Sequence, residues 1–274
     1  MATTELIQYH NDLNLVPLGK LSSLEQNFLF RLIKLVHDEG YNQLFYYDKD
    51  AFTGITQAQI HNSELLRVAR GAANKFINLV FKRYIEKKDT ISESYSNLFE
   101  KFVIDYDKKT NEFKGVQVKV GEEFAYFVNA LYNHFTLIDE LEHITLKSKY
   151  AKILYREIMA RNKMANFFEI KFKDLKEKFG LSPDYPSNNL DKILTAAKKE
   201  LTNKELKLFS YALPLPKLEW KKTYKGLGGG RAGRTIDKYI FEFEKVETKS
   251  NDEKKLVKKE ISIQNHYTTT KVIL

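Results

Sequence analysis

The chain has 274 residues, 43% of them hydrophobic and 13% aromatic, enough apolar material for packed cores and too much for wholesale disorder. Against 36 Asp and Glu stand 45 Lys and Arg, a formal charge of +9 that suits a polyanionic partner. The absence of cysteine excludes disulfides, thiol catalysis and thiolate metal sites, and no apolar run approaches the roughly 18 residues of a membrane span.

Met1 to His10 lacks the basic-then-apolar layout of a signal peptide, so a cytoplasmic protein with no membrane partner is expected. The length favours two domains of ordinary size. Leu6 to Tyr9 reads as a short strand or arm. Ser22 with Glu25 three residues later is a capping-box signature, opening a helix with Leu24, Phe28, Leu32 and Leu35 at helical spacing and stopped by Gly40. Tyr41 to Phe52 is aromatic and mixed strand and turn. From Ser63 a longer helix follows, with Leu65, Ala69, Ala72, Phe76 and Val80 on one face and Arg67, Arg70 and Lys75 on the remainder. That helix is either the first half's DNA contact or a core helix with solvated charges. Ile91 to Asn97 reads as a polar loop. Phe99 to Tyr106 and Phe113 to Val120 form a hairpin around the turn Asp107 to Asn111. Glu122 to Tyr132 reads as a helix beneath it.

Thr136 to Leu146 is acidic, with Asp139, Glu140 and Glu142, and joins the halves. Ser148 caps the next helix, whose Tyr150, Ile153, Leu154 and Ile158 face inward and whose Lys147, Lys149, Lys152 and Arg156 face out. A strand from Phe167 to Phe172, a short helix ended by Gly180 and a proline-bearing turn, Ser182 to Asn189, come next. Leu190, Ile193, Leu194, Ala197 and Leu201 then mark one side of an amphipathic helix, and Lys192, Thr195, Lys198 and Lys199 the other. Ser187, Asn188 and Asn189 stand where short polar side chains cap a first turn, and where a helix entering a groove points at base edges. Pro214 and Pro216 end the helical region. Leu218 to Lys225 and Ile236 to Phe243 have strand character and flank the glycine-rich segment Gly226 to Thr235. Tyr185 to Phe243 holds 12 Lys and Arg against 6 Asp and Glu, most of the chain's surplus of positive charge. This order of helix, strand, helix, turn, helix and hairpin is a winged-helix arrangement, and the first half repeats helices followed by a hairpin. The fold class expected is α+β, two winged-helix domains in tandem. Residues 1–138 would be the N-terminal domain for dimerisation and DNA contact, 139–147 a linker, 148–245 the C-terminal DNA-binding domain and 246–274 a flexible tail.

Gly228, Gly230 and Gly233 fit a dinucleotide fingerprint, and Gly228, Gly233, Arg234 and Thr235 a phosphate loop with Arg for its Lys. Both patterns require a helix after the loop to hold the phosphate, and Ile236 to Phe243 is a β-branched and aromatic run instead. An ordinary solvated hairpin turn and a DNA-contacting wing are the readings left. The six histidines, His10, His37, His61, His134, His143 and His266, are scattered without a pair at ligand spacing. No metal, no cofactor and no enzymatic activity are therefore expected. A nicking initiator that attacks DNA through a tyrosine is the enzymatic rival.

The run from His143 to Arg156, together with Tyr9 to Leu13, Leu21 to Phe30, Tyr185 to Glu200 and Gly230 to Phe243, resembles plasmid replication initiator (Rep) proteins of the theta-type, iteron-binding family. The resemblance covers residues 6 to 244. It implies two winged-helix domains, binding of repeated double-stranded DNA sites at an origin and assembly with host replication proteins. It also implies a homodimer that represses its own promoter and monomers that act at the origin. Carried over by it are Asn188, Asn189, Lys192, Thr195 and Lys199 on the helix, and Arg231 and Arg234 in the wing. Lys198, Lys221, Lys222 and Lys225, with Arg67, Arg70 and Lys75, complete the expected DNA-binding set. A winged-helix transcription regulator without an initiation role would use the same contacts, and an adaptor for a host protein is a third alternative.

Overall fold

A computed structural model describes residues 6–39, 43–56, 60–121, 125, 127–128, 134–161, 164–203, 213–225 and 235–244. The first half begins with strand β1 (Leu6–His10) and two 3-10 turns, then helix α1 (Ser23–Glu39). The capping box forms as the sequence requires: the Ser22 amide donates to Glu25 Oε2 at 2.7 Å and the Glu25 amide to Ser22 Oγ at 3.3 Å. Strand β2 (Leu44–Asp48), a 3-10 turn, helix α2 (Asn62–Phe76), and strands β3 (Val80–Lys87), β4 (Thr90–Asn97), β5 (Phe99–Tyr106) and β6 (Phe113–Val120) follow. The sheet order is β2-β6-β5, all antiparallel. Phe28 stacks on Phe52 at 4.4 Å and Phe76 on Phe99 at 5.4 Å, so aromatic rings from both helices, a turn and the sheet fill one core.

Two readings of this half are corrected. Val80 does not continue the apolar stripe of α2 but opens β3, and it is exposed. The polar loop at Ile91 to Asn97 is strand β4, paired with β3 from Val80 opposite Asn97 to Lys87 opposite Thr90. Its serines leave no apolar face for an alternation to mark, and Ile91 and Tyr95 are exposed. This hairpin is inserted between α2 and β5. Of the helix read at Glu122 to Tyr132, only Ala125, Phe127 and Val128 fall within the described residues; they are helical and buried.

Strand β7 (Phe135–Asp139) returns to pair with β1, Leu6 opposite Asp139, and helix α3 (Glu140–Thr145) follows at once. The acidic segment thus joins the halves as folded structure, with Glu140, Glu142 and His143 buried. The second half contains α4 (Lys149–Arg161), β8 (Phe167–Lys171), α5 (Phe172–Lys178), α6 (Ser187–Leu201), β9 (Leu218–Lys225) and β10 (Thr235–Phe243). Its sheet order is β8-β10-β9, the same first-third-second order of strands as β2-β6-β5. The chain therefore carries two winged helices, the first with the β3–β4 hairpin added. The tail after residue 245 and the wing segment 226–234 lie outside the described residues. None of the described helices is long and apolar enough to cross a membrane.

Helix α4 is the axis on which the halves meet. Ser148 caps it, accepting from the amides of Tyr150 and Ala151, while Glu200 of α6 accepts from the amides of Lys147 and Ser148. Contrary to the outward placement read from their charge, Lys152 and Arg156 are buried, because α4 is covered by the first half as well as by α6. The Lys152 ammonium donates to Asn27 Oδ1 at 2.7 Å and to the His143 carbonyl. Arg156 lies 4.8 Å over the ring of Phe30. Lys149 Nζ reaches the Gly19 carbonyl at 2.6 Å, and Lys178 Nζ the Asn14 carbonyl at 2.6 Å. Buried Glu142 accepts from Tyr155 Oη at 2.6 Å and from the Leu213 amide at 2.7 Å. Burial, reinforced by the Glu142 carboxylate, holds the Tyr155 hydroxyl well above its usual range.

Glu25 also ties α1 to α2 through Lys75, at 2.6 Å. Burial works to raise its carboxyl, but Lys75 and the Ser22 amide and hydroxyl outweigh burial and hold it below the usual range. Such a group contributes stability at neutral pH that disappears as pH falls through the folded pKa. Glu25→Gln should cost about 1–2 kcal/mol at pH 7. In urea titrations its deficit against the parent protein should close as the pH is lowered below ~4, the ordinary carboxylate range. A deficit unchanged by acid would remove the charge from this account.

Candidate nucleic-acid interface

Helix α6 buries Leu190, Leu194, Ala197 and Leu201. Its outer face carries Asn188, Asn189, Lys192, Thr195 and Lys199, all exposed. The start of this helix differs from the reading in which Ser187, Asn188 and Asn189 cap it. They are its first turn, and Pro186 is the N-cap, with no side-chain hydrogen bond. Proline fits that boundary because the orphan amides of a first turn include none of its own. Asn188 and Asn189 are consequently spent on no capping bond, and each presents an amide side chain with both donors and acceptors to the outside. Lys192 and Lys199 have no ion-pair partner among the described residues. Thr195 Oγ1 donates to the Asp191 carbonyl at 2.8 Å, one turn back.

The remaining lysines of this half are placed differently. Lys198 pairs with Glu219 at 2.6 Å and lies 5.9 Å over the Trp220 ring. Lys221 pairs with Glu242 at 2.6 Å, both exposed at the rim, and Lys225 pairs loosely with Asp237 at 3.5 Å with 70% of its side chain exposed. Such exposed pairs hold little energy and exchange readily for a phosphate. Lys222 is turned inward, 19% exposed, and pairs with Asp191 of α6. Tyr239 Oη donates to the other Asp191 oxygen at 3.2 Å; burial and that carboxylate raise the tyrosine hydroxyl above its usual range. Arg231 and Arg234 lie outside the described residues.

On the first half, α2 stands where α6 stands in the second. Arg67 is exposed and paired with Glu64 at 2.5 Å, and the Arg70 guanidinium stacks 4.7 Å over Tyr106 of β5. Lys75 is engaged by Glu25 and stands apart from them. Asn74 is exposed on the same helix, at the spacing from Arg67 and Arg70 that shares a face. That spacing is legible in the sequence, although Asn74 is not among the contacts expected from it. Asp191 is not among them either, because nothing in its local sequence announces partners on two later strands. The two basic helix faces are thus built alike but are unequal: α6 offers two asparagines and two lysines unpaired among the described residues, α2 one asparagine and two arginines already engaged.

Among the described residues no three His, Asp or Glu side chains are grouped to hold a metal ion. His143 is buried against Phe30, and burial, with Lys152 and Arg156 nearby, holds its imidazole well below the usual range.

Comparison with known proteins identifies a family and a set of similar solved structures. The family described as "Initiator Replication protein, WH1" matches residues 6–159. Among solved structures, the crystal structure of Pi initiator protein in complex with iteron DNA is similar, with a TM-score of 0.58 and 18% sequence identity. The match covers 89% of this chain and 98% of that one. No curated protein matches in sequence.

Proposed function

Because the chain belongs to the initiator replication protein family, we propose that it binds repeated duplex sites, iterons, at a plasmid origin and there promotes assembly of the replication machinery. The observation that carries this reading is the outer face of α6, where Asn188, Asn189 and Lys192 converge beside a basic two-stranded wing. Asparagine offers the paired donor and acceptor that matches adenine in the major groove, and lysine the donor that matches guanine. Lys199, Lys221 and Lys225 lie where they would meet phosphates on either side, with Arg231 and Arg234 of the wing adding to them by resemblance. Arg67 and Arg70 on α2 would engage a second stretch of the same duplex. The likeness to Pi protein, which was solved on iteron DNA, supports the choice of ligand. Homodimerisation, contacts with host replication proteins and repression of the chain's own promoter belong to the reading through the family resemblance. Binding without strand cleavage is also part of it.

The test is selection of duplexes from a random DNA pool, followed by titration at several salt concentrations. Asn189→Ala should relax preference at a base position, at a cost of about 1–3 kcal/mol. Lys225→Ala should weaken binding to every sequence and reduce the slope of log affinity against log salt by about one unit. Failure to enrich any duplex would remove the base-reading role of α6. Supercoiled origin DNA incubated with a divalent metal should remain uncut, and protein covalently joined to a nicked strand would overturn the non-catalytic reading. Loss of plasmid maintenance when the chain is removed separates an initiator from a transcription regulator.

A further inference from the structure

We propose that Asp191 is a positioning residue for DNA recognition, fixing the angle between α6 and the wing through Lys222 and Tyr239. The inference rests on the reading that these two elements engage the duplex. Asp191 precedes the base-facing Lys192 and lies at the flank of the helix. One of its carboxylate oxygens takes the Lys222 ammonium from β9 and the other the Tyr239 hydroxyl from β10. Lys222 and Tyr239 stand opposite each other in the β9–β10 ladder, and the ammonium lies 5.6 Å over the tyrosine ring. One carboxylate therefore binds a turn of the helix to both strands of the hairpin.

A second tether fixes direction. Lys198 lies seven residues along α6 from Asp191, and its partner Glu219 lies three residues back along β9 from Lys222. Those separations are about 10.5 Å on a helix and about 10 Å on a strand. The two links are evenly spaced on both elements, so they set helix and strand side by side, running in opposite directions, and oppose pivoting about either contact. The first link is the more enclosed: Asp191 and Lys222 side chains are 31% and 19% exposed, against 53% for Glu219. Lys222 is consequently assigned to holding the wing and not to a phosphate.

Removing the Asp191 charge has two consequences of opposite sign. It frees the helix–wing angle, which lowers affinity where base contacts and phosphate contacts must be made together. It also leaves one more uncompensated positive charge near the DNA, which raises affinity for any duplex. A substitution that merely loosened the fold would lower both.

The experiment uses the full chain, the duplex that it selects from a random pool, and a scrambled duplex of equal length, with thermal melting to confirm folding. Asp191→Asn is expected to weaken the selected duplex about fivefold, the scale of one exposed-to-half-buried ion pair, while the scrambled duplex binds as well or better. Lys222→Met should weaken the selected duplex with no change in salt slope, and the double variant should lose no more than the larger single loss. If Lys222→Met instead flattens the slope by about one unit and weakens both duplexes equally, Lys222 is a phosphate contact and the proposal is overturned. An unchanged ratio of selected to scrambled affinity in Asp191→Asn overturns it as well. If the unsubstituted chain selects no duplex, the DNA reading itself fails and takes this inference with it.

Discussion

Gly19→Val is expected to destabilise the protein by about 3 kcal/mol or more, the upper range for forcing atoms into a filled space. Gly19 sits in the 3-10 turn Leu18–Lys20 and is buried. A Cβ placed on it would lie 2.0 Å from the Phe179 carbonyl carbon and 2.4 Å from both the Gly180 nitrogen and the Lys178 carbonyl oxygen. All three are main-chain atoms at the end of α5, so no side chain can swing aside. Gly180 itself has φ +65°, a left-handed conformation that ends the helix and leaves that segment little freedom to retreat. The first and second halves touch backbone to backbone here, with Lys149 and Lys178 anchoring the same patch. A urea midpoint for Gly19→Val close to that of the parent protein would show that the halves do not depend on this approach.

Lys152→Ala should cost about 3 kcal/mol, and Lys152→Met considerably less. The side chain is 0% exposed, and its ammonium has no carboxylate in salt-bridge range among the described residues, only the oxygens of Asn27 and His143. Alanine leaves both a cavity and two acceptors without their donor, whereas methionine fills the volume and sacrifices only the bonds. Burial holds the Lys152 ammonium well below its usual pKa, with Glu200 opposing and Arg156 adding to the effect. Between that lowered value and the ordinary lysine value near 10.4, the unfolded chain binds the extra proton, so the lysine's net contribution to stability rises with pH across that window. The stability of the parent protein relative to Lys152→Met should therefore grow between pH 7 and pH 10. The raised tyrosines Tyr9 and Tyr155 titrate in both proteins and cancel in the difference. A difference that is flat with pH would mean that the lysine titrates normally in the fold.

The wing strands were legible because each has one buried side, and periodicity reports one-sided burial; α1 was legible from its capping box, although Glu25 to Phe30 are buried all round it. Trp220 and Phe241, opposite each other in the ladder, and the Ser22–Glu25 box behave as their local sequence requires. Helix α4 was misread at Lys152 and Arg156 because it is buried on two sides, and a charge pattern cannot distinguish a solvated face from one that meets another half of the molecule. Strand β4 was misread for the opposite reason: it buries almost nothing, so no alternation arises. At the interface, the sequence supplied the inventory of cations but not their partners. Asp191 and Lys222 are distant along the chain, and only the folded register of β9 against α6 shows which lysine is withdrawn. Asn188 and Asn189 kept their place in the reading while their local role changed from cap to first turn.

The pairing of β1 with β7 sets a timetable for synthesis. Leu6 leaves the ribosome well before its partner Asp139, which is made only after the rest of the first half has been translated. Tyr9 and Ile7, both fully buried, therefore lack their strand partners until Phe135–Asp139 has cleared the exit tunnel. The α1–α2 unit with its β2-β6-β5 sheet has local partners and precedes that closure, since joining distant segments carries the larger loop entropy. Nascent chains stalled just before and just after residue 139 emerges should differ in protease resistance at β1, the earlier one being cut there.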